Sequence, residues 1–496
     1  MADPLKRLGL QTTHYSIASL LALVSGLITF PLFTRIFSVE DYGVMNLVGS
    51  TLSVFVAFGK LGIQHSIVRY QSEISANKSR FTLPQLYSTT VFGMTAGALV
   101  IMVGLVAFAQ LAPAEWLADP RLRVIFSIIA LLIIVQIVES ALTNLLRAEQ
   151  RSAILMKYQV LKKYLMLALM IAAAVLARKL TAFYSAQVVA EALAVAGLFF
   201  LCFSSEDRRP KPKEFSRPLY LELLRFGVPM MIGYELSGIV LAVGDRYVIH
   251  GMLGEAQLGL YGAAYNLCEY VQAVVIASVG QAIMPLYMEM WDREGPEATG
   301  AFISRSLRTY ALFGAPVIAG LAAVGPELLP ALASNRYADA SAVLPWIIAG
   351  MVIGGLNSLV GAGLFIQRRT RTIMTIILSC AILNILLNVL FVPRIGIVGS
   401  ALATLVCYAA TAFGLGFAGR KLLTIAFPWA TLARASLVAV AMYLAVSWIY
   451  PGRRLLTVGV RVLAGAPIYV VAVMLIDPDA KGIVQNVLLR FRRTRG

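Results

Sequence analysis

The feature that most limits this chain is the recurrence, from His14 to Ile476, of apolar runs about as long as a bilayer is thick. A hydrocarbon core about 30 Å thick takes about 20 helical residues to cross. Fourteen such spans are predicted, at 14–36, 43–62, 86–109, 123–146, 158–177, 181–203, 226–253, 258–288, 307–332, 342–366, 372–392, 397–418, 430–450 and 455–476. Hydrophobic residues make up 59% of the chain and charged residues 14%, against roughly half and a quarter in soluble domains. An all-α integral membrane protein is the expectation. No connection is long enough to hold an extramembrane catalytic domain, which weighs against an enzyme.

The net charge of +17 is carried largely by short connections between spans, so anionic lipid headgroups, not nucleic acid, are the expected partner. Lys and Arg concentrate in every second connection. By the positive-inside rule both termini are then cytoplasmic. Lys6 and Arg7 ahead of an apolar run resemble a signal peptide, but the run is too long and another span follows a tight turn, so it is read as the first membrane helix. Cys202, Cys268, Cys380 and Cys407 lie inside apolar runs without CxxC spacing and read as buried hydrophobes. His14, His65 and His250 are scattered, so no metal site or triad is expected.

The longest polar interval, 204–225, holds three prolines and six basic residues and reads as an extended, solvated linker. It divides an N-terminal six-helix lobe (1–203) from a C-terminal six-helix lobe (226–418). Helices 13 and 14 (419–476) and a basic tail (477–496) follow. The two lobes echo each other. The stretch Val243 to Leu267 repeats the character of Ile28 to Val48: a charged helix end, a short acidic loop and a new helix near a glycine. Placing Gly43 on Gly259 brings the basic turn at 147–158 close to that at 365–376. Six helices per copy is an even number, so the repeats are parallel, an arrangement in which transporter halves rock around a central site.

Helical spacing collects polar residues into stripes. Asn46, Ser50, Ser53, Ala57 and Lys60 share a face of the second helix; Gln136, Glu139, Thr143 and Arg147 share one on the fourth. Glu235, Gly238, Ile239, Ala242 and Arg246 align on the seventh, and Tyr261, Tyr265, Glu269 and Gln272 on the eighth. Such faces either line a polar path or bond helix to helix. Ionisable groups favour the path, because a charge in the membrane is costly and faces a cavity or a partner. Glu139, Glu191, Glu235 and Glu269 are candidates for the cavity or for coupling. Arg35 and Arg246 lead as ligands for an anion on such a path, since the guanidinium is a planar fork that stays charged; Lys60, Lys162 and Lys163 are further candidates. Asp245 either pairs with Arg246 or, pointing about 100° away on the helix, binds a neighbour. Pro31 is expected to bend the first helix, and Pro229 to mark the entry to the seventh.

Four segments carry a family resemblance: PLFTRIFSVEDYG at 31–43, LLRAEQR at 145–151, GDRYVIHGMLGEAQLGLYGAAYNL at 244–267 and GIVGSALAT at 396–404. In this order they resemble polysaccharide flippases of the Wzx type, in the multidrug/oligosaccharidyl-lipid/polysaccharide exporter superfamily. The resemblance implies a bacterial inner-membrane protein with a V-shaped pair of lobes and a final helix pair that helps accommodate a lipid tail. It further implies alternating-access transfer of undecaprenyl-diphosphate-linked oligosaccharide from the cytoplasmic to the periplasmic leaflet. Coupling to a proton or sodium gradient is expected, with no cofactor; a polysaccharide polymerase and chain-length proteins are candidate partners. The alternatives are a drug or metabolite antiporter of the same superfamily, usually of twelve helices, and a membrane polymerase or glycosyltransferase of the same pathway. Peptidoglycan-precursor flippases share fourteen helices, but their loop motifs are not seen.

Overall fold

The computed structural model describes residues 24–113, 119–203, 208–275, 277–478 and 481–482. Among them every regular element is helical. Eleven helical segments are long and apolar enough to cross a membrane. A twelfth arises if Arg217–Gly233 and Ser237–Ala273, bent by 46° at their junction, form one span. The fourteen expected spans are therefore not all seen as separate crossings. Residues 14–23 of the first, with His14, lie outside the described residues, as do 204–207 of the interval between lobes and most of the basic tail. The seventh expected span, and much of the eighth, fall in the bent pair.

The chain divides into two compact units, Met1–Arg246 and Tyr247–Gly496. In the first, α1 (Val24–Ile36) leads into α2 (Val39–Lys60). The acidic loop expected before α2 is its first turn: Ser38 caps the helix by accepting from the Asp41 N–H, and Asp41 accepts from the Ser38 N–H. Leu61 and Gly62, at φ 52° and 70°, break the chain before α3 (Ile63–Ser75). Then come α4 (Leu83–Leu111), α5 (Arg121–Ala148), α6 (Ser152–Ala177) and α7 (Leu180–Cys202). Here α5 is central, packing against α2, α3, α4 and α7. Small residues permit the close approaches, as membrane helices require: a Cβ on Gly59 would lie 2.2 Å from Ile137 Cδ1.

The interval read as a solvated linker is partly folded onto this unit. Pro212–Glu214 is one turn of 3-10 helix, and α8 (Arg217–Met230) begins well before the expected boundary at 226. The Lys211 N–H donates to Ser88 Oγ and the Ser216 N–H to Thr89 Oγ1, each at 3.0 Å. Gly62 and Gly227 bring α3 and α8 together so closely that a Cβ on Gly62 would sit 2.0 Å from the Gly227 carbonyl oxygen. Pro229 lies inside α8 instead of at a helix entry. It is followed by a π-helical turn, Met231–Leu236, before α9 (Ser237–Val275).

The long helices are divided by glycine. At 39 residues α9 would run about 58 Å, nearly twice the hydrocarbon thickness. Gly254, at φ 82° and ψ −178°, breaks it in a conformation essentially confined to glycine. The turn expected at 254–257 is thus one residue. Likewise Gly295 breaks α10 (Ala277–Leu332). The second unit continues with α11 (Leu344–Gly355), the short α12 (Asn357–Val360) and α13 (Ala362–Ile366), then α14 (Thr370–Ile395), α15 (Ile397–Gly419), α16 (Trp429–Ser447) and α17 (Arg454–Ile476). The last two helices pack on α10 and on each other. Arg461 fastens them: its guanidinium donates to the carbonyls of Ala323, Ser447 and Ile449 at 2.6, 3.0 and 3.0 Å. Beside it α10, α16 and α17 form an open apolar cavity of about 340 Å³, lined by Leu312, Phe313, Val317, Met442, Val446 and Val473 among others.

Candidate functional site

The polar stripes of the first unit meet one another. Arg246 Nη1 donates to Ser50 Oγ at 3.4 Å, and Ser50 Oγ donates to the Asn46 carbonyl at 2.8 Å. Lys60 Nζ lies 3.5 Å from Glu235 Oε1. Residues 50 and 60 are ten apart and their partners 246 and 235 run the opposite way, so α2 lies antiparallel to the π-turn and the start of α9. Arg246 is 8% exposed inside this seam, and its neighbour Asp245 is 1% exposed. Ten helical residues span about 15 Å, so the two basic side chains stand at separate levels along it, too far apart to grip one phosphate group together.

Glu235 draws more than Lys60. Gln64 Nε2 donates to its Oε2, and His65 Nε2 is 3.3 Å from the same oxygen. Neither Gln64 nor His65 was expected here. The sequence signal is the glycine at 62, which ends α2 and turns the next helix so that its first residues face back toward Lys60. The π-turn has its own cause: Pro229 has no N–H for the helix ladder, and Ser237 Oγ donates at 2.9 Å to the Ile232 carbonyl five residues back. Wider turns of this kind occur often at functional sites.

A second ionic group joins α5, α6 and α7. Lys162 Nζ is 2.5 Å from Glu139 Oε2 and 3.4 Å from Glu191 Oε2. Glu191 is 1% exposed, and its Oε1 accepts from Gln187 Nε2 at 2.9 Å and Gln136 Nε2 at 3.2 Å. Two carboxylates around one ammonium leave a net negative charge when both are ionised. The expected stripe of Gln136, Glu139 and Thr143 thus faces α6 and α7 with its first two members, while Thr143 Oγ1 donates back to the Glu139 carbonyl at 2.8 Å. Lys163 follows on α6, half-buried.

The other candidates are placed differently. Arg35 is exposed in the last turn of α1. Asp41 is held by Arg121 Nη1 at 2.7 Å, a contact the sequence did not signal because 80 residues separate the two. In the second unit Tyr261 and Tyr265 are buried, with ring centroids 5.9 Å apart. Glu269, on the same helical stripe, is exposed, and Gln272 is half-buried. The stripe therefore runs from the packed interior to the surface of its unit. No group of three or more His, Cys, Asp or Glu residues able to hold a metal ion occurs among the described residues.

The chain as a whole is similar to known membrane proteins. The sequence profile of a family described as "Polysaccharide biosynthesis protein" matches residues 32–342. The succinoglycan biosynthesis transport protein ExoT of Rhizobium meliloti (strain 1021) is 23% identical over 64% of this chain and 60% of its own length. A probable low-salt glycan biosynthesis flippase of Haloferax volcanii, Agl15, is 20% identical over 36% of this chain and 39% of its own. These matches cover less than two thirds of either relative. Among solved structures, the lipid II flippase MurJ in an inward closed conformation superposes with a TM-score of 0.76 at 16% identity, covering 94% of this chain and 99% of that one. An inward-facing multidrug resistance MATE family transporter gives 0.63 at 14% identity, covering 83% and 97%. At these identities the likeness is one of fold. The chain belongs to the family described as "Polysaccharide biosynthesis protein", as a multi-pass membrane protein.

Proposed function

We propose that this protein is a flippase for undecaprenyl-diphosphate-linked oligosaccharide units, moving them from the cytoplasmic to the periplasmic leaflet of the inner membrane by alternating access, for surface polysaccharide synthesis. The observation that carries this reading is the set of intramembrane cations in the first unit, Lys60, Lys162 and Arg246, in a chain of the polysaccharide biosynthesis family. A diphosphate cannot cross hydrocarbon without cationic partners, and charges kept in a membrane interior are costly enough that they face a cavity or a partner. With both termini in the cytoplasm α2 runs inward, so Lys60 is the inner station and Arg246, about 15 Å away, the outer one. A diphosphate passing along the seam meets them in turn. Glu139, Glu191 and Lys162 form the group through which a proton or sodium gradient is coupled. The apolar cavity between α10, α16 and α17 suits part of a polyprenyl tail. Polymerase and chain-length proteins would act on the delivered units.

Deletion and complementation test the reading. Loss of the gene should abolish the surface polysaccharide and accumulate its lipid-linked repeat unit on the cytoplasmic side. The fold shared with multidrug exporters supports a second reading, cation-coupled drug or metabolite export. Unchanged polysaccharide with altered drug sensitivity would favour that alternative and overturn the flippase.

A further inference from the structure

The group around Glu235 has the composition of an anion site that already holds an anion. An ammonium (Lys60), an amide (Gln64) and an imidazole (His65) converge on one carboxylate. Gln64 and His65 lie in the first turn of α3, whose N-cap, Gly62, brings no side-chain cap. The unsatisfied N–H groups and dipole of a helix N-terminus favour negative charge there. The carboxylate comes from the π-turn, and the donors come from either side of the Leu61–Gly62 break. One side chain therefore ties together two places where helical backbone is irregular. Such backbone at membrane depth is tolerated only inside protein or along a polar cavity. The site is reachable, the side chains of Lys60 and Glu235 being 22% and 18% exposed.

We propose that Glu235 is a resident substitute for a phosphate: an entering phosphate or diphosphate anion displaces its carboxylate from Lys60, Gln64 and His65, and the displacement releases the α2–α3 break from the π-turn. This rests on the flippase reading and assigns its inner station. Exchange, not addition, follows from charge, because a carboxylate and a diphosphate on one ammonium repel each other. The three donors that satisfy two carboxylate oxygens serve phosphate oxygens equally well. Cargo binding and the loosening of two helix breaks thereby become a single event.

The test uses the full chain in phosphatidylcholine nanodiscs, with inorganic pyrophosphate and farnesyl diphosphate as probes. Binding is read by calorimetry and backbone opening by hydrogen exchange over residues 58–66 and 228–238. In Glu235→Gln, pyrophosphate should bind about tenfold more tightly than in the wild type, as expected when a charged competitor worth about 1.4 kcal/mol is removed. Lys60→Met should weaken it by about tenfold. Pyrophosphate should speed exchange in both segments of the wild type, and Glu235→Gln should exchange fast without it. Equal affinity in the wild type and Glu235→Gln, or exchange insensitive to either anion, overturns the proposal. If polysaccharide export still depends on the gene, that result leaves the flippase reading standing. A response to phosphatidylglycerol nanodiscs with none to farnesyl diphosphate assigns the donors to bilayer headgroups and likewise overturns it.

Discussion

A half-buried cation of the first unit and a buried one of the second are satisfied in opposite ways. In the first unit Lys162 sits between two carboxylates, Glu139 and Glu191, on two other helices. In the second, Arg461 donates to three backbone carbonyls, two of them at the C-terminal end of α16. Carbonyls are fixed dipoles that neither take up a proton nor leave, and the end of a helix favours a cation. Arg461 thus behaves as a rivet between α10, α16 and α17. Lys162 pairs with side chains from two other helices, the group to which the coupling role is proposed. The contrast teaches that burial of a charge in the membrane does not by itself mark function; the partners decide.

Lys162→Met should have the largest effect. Leaving two carboxylates together without their ammonium costs about 3 kcal/mol or more of stability, and transport per folded molecule should separately fall by about two orders of magnitude, about 2.7 kcal/mol of barrier. Adding Glu139→Gln should restore folding, read from the thermal midpoint in detergent, without restoring transport. If the double variant transports normally, Lys162 is a rivet as well and the contrast collapses. Arg461→Ala should lower stability by about 2 to 3 kcal/mol, through the loss of charge-assisted bonds to three carbonyls. Transport per folded molecule should stay within about twofold, since these bonds hold helices and not cargo.

How far the sequence disclosed this arrangement depends on whether a residue's partner is local. The helices were legible because hydrocarbon demands long apolar runs, whereas the acidic loop expected near Ser38 is the capped first turn of α2. The stripe of Asn46, Ser50 and Lys60 was legible from spacing, and so was Arg246; that they face each other was not, because 196 residues separate Ser50 from Arg246. The seventh-helix stripe assumed an unbroken 3.6-residue period, whereas Glu235 stands in a π-turn; both Glu235 and Arg246 nevertheless reach α2. Tyr261 and Tyr265 satisfied the period of a sugar-binding face and equally that of a packed core, and burial places them in the core. Lys162 and Lys163 are neighbours with equal claims in the sequence; only tertiary packing selects Lys162 for the carboxylates.

Smaller effects refine the comparison. Arg246→Lys at matched expression should lower transport by about tenfold, because an ammonium cannot reproduce the planar fork, and Arg246→Ala should lower it further. Full transport in both would remove Arg246 from the path. Gly254→Ala should cost about 1 to 3 kcal/mol of stability by strain alone, since no atom lies within 4 Å of the added methyl group. A drop beyond that range would show that the break has a packing role too.

The most direct measurement compares the two cations in one assay: flipping of a polyprenyl-diphosphate-linked oligosaccharide in proteoliposomes, normalised to folded protein, for the wild type, Lys162→Met and Arg461→Ala. The expected result is near-complete loss in Lys162→Met and near-normal rates in Arg461→Ala. Equal rates in the two variants, or the reverse order, would contradict the assignment of transport to the ionic group of the first unit.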